Sequence, residues 1–185
     1  MADVEEIYRR TDQVATAMHL AQQTLDRVGR VLDGRETLQD ATMLRDGLAD
    51  SGRRLQSALE QADALHRMPE YGGTERTGDL LEKVQGVRQI TKNAETALTR
   101  AIDEPRASAA LRSEVRETVA ARRQEIGQST EYAVKTSNAA LEAKRLAKTA
   151  QVAGNPTTKA AQHPAGSAQQ QRHYEGQSHD SGVER

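Results

Sequence analysis

Apolar and small side chains recur at alternating spacings of three and four residues near the start of the chain. They are Val4, Ile7, Thr11, Val14, Met18, Ala21, Leu25, Val28 and Leu32. An α-helix has about 3.6 residues per turn, so this spacing places all of them on one face. The position of this face shifts only slowly around the helix axis, so a second helix can pack along the whole length of the first. The pattern predicts a helix over residues 4–32.

Capping residues mark both ends of this helix. Asp3 can cap the first turn, and Glu6 has the spacing to reach back to it in a capping box. Gly34 can adopt the left-handed conformation that ends a helix, and Asp33 with Glu36 repeats the start signal. So short a connection predicts a second helix that runs back antiparallel to the first.

The same spacing continues over residues 36–67, which predicts the second helix. The face consists of Ala41, Leu44, Leu48, Ser51, Leu55, Ala58, Ala62 and Leu65. Gly47 and Gly52 lie inside it, and each costs about 1 kcal/mol relative to alanine, so this helix depends on its partner. Residues 3–67 are therefore predicted to form an N-terminal α-hairpin.

A proline and two glycines within residues 68–75 predict a break, after which Asp79 and Glu82 repeat the helix start signal. The third helix has the face Leu80, Val84, Val87, Thr91, Ala94, Leu98 and Ala101. Pro105 follows it at a position typical of the first turn of a new helix.

The fourth helix is predicted over residues 105–153 and is much longer than the others. Its first half has the large side chains Leu111, Val115, Val119 and Ile126. Its second half depends on Ala133, Ala140, Ala143, Ala147 and Ala150. Gly127 offers a kink, so this helix either extends beyond its neighbours or bends there. Residues 76–153 are predicted to be a C-terminal helical pair.

Residues 154–185 have almost no bulky apolar side chain, which predicts a disordered C-terminal tail. The whole chain has no Cys, Phe or Trp, and only 2% of its residues are aromatic. This excludes disulfides, thiolate chemistry and a core built on aromatic rings. Long helices that share narrow Leu, Val and Ala faces suit such a composition.

Charge is divided unevenly although the net charge is only −1. Residues 1–67 contain 9 basic and 12 acidic side chains, and residues 106–153 contain 9 basic and 5 acidic ones. Residues 68–105 contain 5 basic and 7 acidic side chains, so attraction between the basic last helix and these two acidic segments is one interpretation. The other is a polyanion-binding face, although no aromatic side chain lies among the cations to stack on nucleic-acid bases.

Candidate chemistry is sparse. His19 and His66 flank the apolar faces, and the other three histidines lie in the tail with no cysteine nearby. Carboxylates alternate with Arg and Lys, as Glu142 does with Arg145, in the manner of solvated helix surfaces. No phosphate-binding glycine pattern occurs. We therefore expect no catalytic residues, no metal site and no cofactor.

Tyr71 and Glu75, four residues apart just after a predicted hairpin, form a Tyr-x-x-x-Glu signal. In this respect the chain resembles the WXG family of small helical hairpins exported by type VII secretion systems. Its turn has Leu32-Asp33-Gly34 where that family has Trp-x-Gly, and 110 residues follow the motif. The resemblance implies an exported helical-hairpin protein.

The sequence thus predicts an all-α protein, a four-helix bundle or elongated coiled coil with a disordered tail. We expect a non-enzymatic interaction or scaffold protein, cytoplasmic and without a membrane span, that binds a protein partner or a second copy. An exported hairpin protein is the alternative, and a nucleic-acid-associated protein the third. The predicted interaction seam consists of Val4, Ile7, Val14, Met18, Leu25, Val28, Leu32, Leu44, Leu48, Leu55, Leu80, Val84, Val87, Leu98, Leu111, Val115, Val119 and Ile126.

Overall fold

The computed structural model describes residues 3–33, 41–69, 71–104, 106 and 108–153. These residues form the helices α1 (Val4–Leu32), α2 (Ala41–His66), α3 (Glu75–Asp103) and α4 (Ser108–Ala153). They contain no strand, and the prediction of an all-α bundle is confirmed. The predicted turn at Gly34, the helix start at Pro105 and the tail, 154–185, lie outside the described residues.

Helix α1 has the predicted bounds, but only half of the predicted capping box. The Asp3 carboxylate accepts a hydrogen bond from the backbone N–H of Glu5 at 3.0 Å. The Glu6 carboxylate instead contacts two cations on its own helix, Arg9 Nη2 at 2.7 Å and Arg10 Nη2 at 2.6 Å. A charged partner one turn away thus replaces the backbone N–H as the group that Glu6 binds.

Helix α3 begins one turn earlier than predicted. Asp79 lies inside the helix, and the N-cap is Thr74, whose hydroxyl accepts a hydrogen bond from the backbone N–H of Thr77 at 3.3 Å. A threonine hydroxyl satisfies the unpaired N–H groups of a first turn as an aspartate does. The predicted start at Asp79 is therefore wrong.

Two glycines shape the connection between α2 and α3. The Gly72 N–H donates to the Met68 carbonyl at 2.7 Å, and the Gly73 N–H donates to the His66 carbonyl at 2.8 Å. A Cβ on Gly72 would overlap the carbonyl oxygen of His66, and Gly73 has a φ of 68°. This turn therefore needs glycine at the first position for space and at the second for its left-handed backbone.

Each helix runs antiparallel to its neighbour in the chain. Arg10 near the start of α1 donates to Gln61 near the end of α2 at 2.6 Å. Between α3 and α4, the Tyr132 hydroxyl donates to the Arg76 carbonyl in the first turn of α3 at 3.2 Å. Helix α4 also packs along α1, which closes the bundle.

Most of the buried apolar side chains that the structure describes form two clusters. One lies at the end of the bundle that holds the α2–α3 connection and contains Ile7, Val14, Met18, Leu55, Leu65, Leu80, Val84, Val87, Ala133 and Ala140. The other lies at the opposite end and contains Leu25, Val28, Leu48, Leu98, Val115, Val119 and Ile126. Leucine, valine and alanine thus provide most of the burial, as the absence of large aromatic residues requires.

Helix α4 continues through Gly127 without an interruption of its helical structure. Of the two predicted arrangements, extension and bending, the structure shows extension. Lys144 contacts Glu5 in the first turn of α1, and every residue from Arg145 to Lys148 is exposed.

Candidate interaction surface

The side chains predicted to form helix seams lie mostly inside the bundle. Val4 and Leu32, near the two ends of α1, are half-buried. The remainder are buried: Ile7, Val14, Met18, Leu25, Val28, Leu44, Leu48, Leu55, Leu80, Val84, Val87, Leu98, Leu111, Val115, Val119 and Ile126. They pack the chain's own helices against one another, so the surface open to a partner is formed by other residues.

Polar side chains spaced by multiples of seven residues connect α1 to α4. The pairs are Glu5–Lys144 at 2.8 Å, Asp12–Ser137 at 3.5 Å, Asp26–Arg123 at 3.2 Å and Asp33–Arg116 at 4.0 Å. We call these four pairs the α1–α4 ladder. Three of them join an acid of α1 to a cation of α4, so part of the basic charge of the last helix is neutralised within the chain. Each such exposed pair contributes about 0–1 kcal/mol.

The end of α4 is the part of this helix with the most exposed apolar surface. Leu146 is 70% exposed, and Ala143 and Ala147 are exposed as well. The residues Thr149–Ala153 are also helical and exposed, and include Val152 at 72%. The prediction that Ala143, Ala147 and Ala150 line a packed face is wrong, because all three are exposed.

Cations lie against two tyrosine rings where α4 meets its neighbours. Lys144 Nζ lies 4.7 Å from the centroid of Tyr8, and Lys83 Nζ lies 5.2 Å from that of Tyr132. The Tyr132 hydroxyl also donates to Asp79 Oδ2 at 3.3 Å. Burial, and then the adjacent Asp79 charge, raise the pKa of Tyr132. These contacts join the second half of α4 to α1 and α3 at the rim of the bundle.

Most of the described carboxylates lie on helix surfaces beside cations. Glu142 Oε1 lies 2.7 Å from Arg145 Nη1, with both side chains mostly exposed, as the sequence pattern indicates. The pKa of three carboxyls is lowered by a hydrogen bond from a cation one turn away: Glu6 from Arg9, Asp50 from Arg54 and Glu131 from Lys135. Glu131 is exposed, and Glu6 and Asp50 are partly exposed. Their pairing is that of ordinary i,i+3 and i,i+4 helix contacts.

The histidines in the described ranges make local contacts. His66 Nδ1 lies 3.0 Å from the Thr77 hydroxyl, which links the end of α2 to the start of α3. His19 Nε2 lies 2.9 Å from the Gln23 side-chain amide one turn later. Among the described residues, no three His, Asp or Glu side chains lie close enough to hold a metal ion.

Two open grooves lie on the outside of the bundle. The one between α1 and α2 has a volume of 390 Å³ and includes Thr16, Ala17, Ser57 and Ala58. The one between α3 and α4 has a volume of 300 Å³ and includes Ala97 and Thr118. Both occur where small side chains allow neighbouring helices to leave a shallow depression, and neither brings together groups that could activate a nucleophile.

The fold therefore defines an all-α helical bundle with a long last helix. No helix in the described part of the chain combines the length and the apolarity that crossing a membrane requires. No family model, no curated protein and no solved structure matches the chain. The apolar spacing of the sequence does not single out Val152 or the α1–α4 ladder, since pairing between distant helices has no local signal.

Proposed function

We propose that the protein is a non-enzymatic interaction or scaffold protein that acts through helix–helix packing. The exposed end of α4 is its contact surface for a partner protein. The observation that carries this proposal is Leu146, a large apolar side chain that is 70% exposed between the exposed alanines Ala143 and Ala147. A continuous helix with such a side chain resembles half of a helix–helix contact.

A second copy of this chain is the first partner to consider. Without Phe or Trp, a single bundle has little apolar surface to bury, and pairing two chains would cover part of the end of α4. Self-association would make the melting temperature rise with protein concentration.

Site-specific photo-crosslinking in the native host tests the proposal. A photoreactive amino acid at Leu146 should give a discrete covalent adduct. The same amino acid at Met43, which is 57% exposed near the start of α2, is the matched control and should give none. An adduct of twice the 20.3 kDa chain mass identifies a homodimer, and any other discrete mass identifies a different protein. Adducts at Met43 but not at Leu146 would refute the assignment of this surface.

Export as a helical-hairpin protein is a second proposal. The observation that favours it is the antiparallel α1–α2 hairpin followed directly by Tyr71, with Glu75 as the first residue of α3. If these two residues form an export signal, the protein should appear in the culture medium of its host and Tyr71→Ala should retain it in cells. The melting temperature of the variant, measured in parallel, separates a lost signal from a lost fold, because Tyr71 is half-buried.

Binding of a nucleic acid by the basic last helix is the third proposal, and the α1–α4 ladder reduces its support. Arg116, Arg123 and Lys144 already contact carboxylates of α1. Retention of the protein on DNA that weakens steeply with added salt would favour this function.

A further inference from the structure

The buried side chains of α4 change in size at Gly127. Before this residue they are Leu111, Val115, Val119 and Ile126, and after it they are Ser129, Thr130, Ala133, Thr136, Ser137 and Ala140. All the large apolar side chains that α4 buries therefore belong to its first half. The free energy of apolar burial scales with the area removed from water, so the second half gains much less from packing.

The cluster at that end of the bundle depends on the other three helices. Its large members, such as Met18, Leu55 and Val84, belong to α1, α2 and α3, and α4 adds only Ala133 and Ala140 to the buried set. If the second half of α4 were to leave, contacts among the large side chains of the first three helices would persist.

Two buried hydroxyls of this half bind their own helix, whereas that of Ser137 donates to Asp12 Oδ1 of α1 at 3.5 Å. Thr130 Oγ1 donates to the Ile126 carbonyl, and Thr136 Oγ1 donates to the Tyr132 carbonyl, each at 2.9 Å. These hydrogen bonds can persist when the helix separates from its neighbours, so they do not oppose separation. Two polar contacts cross from this half to α1. Lys144–Glu5 lies at the rim and adds little, and Ser137–Asp12 is partly buried but long, at 3.5 Å.

Gly127 lies at the boundary between the two halves. Glycine is among the poorest helix formers, because the backbone freedom that it loses in a helix is the largest of any residue. A Cβ at this position would have Gln22 Nε2 as its nearest neighbour at 3.9 Å, so space does not require glycine here.

From these observations we infer that residues 128–148 of α4 open as a unit, with Gly127 as the hinge, while residues 108–126 stay packed. Opening uncovers the apolar cluster that contains Met18 and Val84. This opening of residues 128–148 is independent of the exposed end of α4 and does not require that surface to bind a partner.

Hydrogen exchange of the full chain, followed by mass spectrometry, tests this inference. Amides of residues 129–148 should exchange at least about tenfold faster than those of residues 111–126, because partial opening has a lower free energy than global unfolding. Equal protection of the two segments would overturn the inference.

Two glycine variants provide the matched comparison. Gly127→Ala should slow exchange of residues 129–148 by about two- to fivefold, since alanine favours the helix at the hinge. Gly86→Ala in α3 meets a similar space, with Glu125 Oε1 at 3.8 Å from the new Cβ, and should leave exchange of that segment unchanged. If both variants slow this segment equally, it exchanges only by global unfolding and the hinge is wrong.

Discussion

Leu25 provides a direct test of how the core is packed. Its side chain is 1% exposed and belongs to the cluster that also contains Val28 and Leu48. Replacing it with alanine removes three carbon groups, each of which contributes about 0.8 kcal/mol on burial. The cavity that remains adds to this loss. We therefore expect Leu25→Ala to lower the free energy of unfolding by about 3–4 kcal/mol.

The matched control is Met43→Ala, because Met43 is 57% exposed near the start of α2. This change removes apolar groups from a position that buries little, so its effect should stay within about 0.5 kcal/mol. Urea denaturation followed by circular dichroism measures both values, and an unchanged slope with denaturant shows that stability alone has changed.

Equal effects of the two substitutions would refute the packing described for α1. If Leu25→Ala lowers the free energy of unfolding by much less than about 3 kcal/mol, this face of α1 is solvated in solution. Leu25→Asp sharpens the test, because an unpaired charge in this cluster costs several kcal/mol more than a cavity does. A thermal melt unchanged by that substitution would show that the α1–α2 hairpin is assigned incorrectly.

Three further changes have defined outcomes. Gly72→Ala should lower the melting temperature more than Gly73→Ala does. The first substitution forces atoms to overlap, whereas the second costs about 1 kcal/mol of backbone strain. Equal shifts in melting temperature would contradict the turn geometry. The pKa of Glu6 is lowered, chiefly by its hydrogen bond from Arg9. The stability that its charge adds is therefore present above the ordinary pKa of 4.5 and is lost as the pH falls through the lower pKa of the folded protein. Glu6→Gln should therefore flatten the fall in melting temperature below pH 4.5, and an unchanged acid profile would show that the pair contributes nothing. Deleting residues 157–185, which have almost no bulky apolar side chain, should leave the melting temperature unchanged; a lower value would mean that this segment packs on the bundle.

The bounds of α1 can be predicted from the sequence because its seam consists mainly of large apolar residues at helical spacing. Met18 and Leu25 lose stabilisation when exposed, so their spacing reveals the buried face. The start of α3 is harder to predict, because Thr74 and Asp79 are both acceptable N-caps. The tertiary structure favours Thr74, since a helix that begins there carries Thr77 to the His66 side chain.

Alanine explains why the second half of α4 is predicted less well. Ala140 is buried and Ala143 is exposed, although both fit the same repeating pattern. An alanine gains little from burial and costs little in water, so its position reveals little about which face is covered. Which alanine is buried depends on how the other helices pack against α4, and that is a property of the whole bundle.

The α1–α4 ladder also bears on how the alignment of these two helices is encoded. If α4 slid by seven residues, Asp12 would meet Lys144 and Asp33 would meet Arg123, so two acid–base pairs would replace the native three. Since each exposed pair contributes at most about 1 kcal/mol, charge distinguishes these alignments only weakly. The ladder adds charge complementarity between α1 and α4, whereas large buried side chains such as Ile126 must fix the position of α4 along the axis. Mutation of the ladder should therefore leave the axial alignment of α4 unchanged.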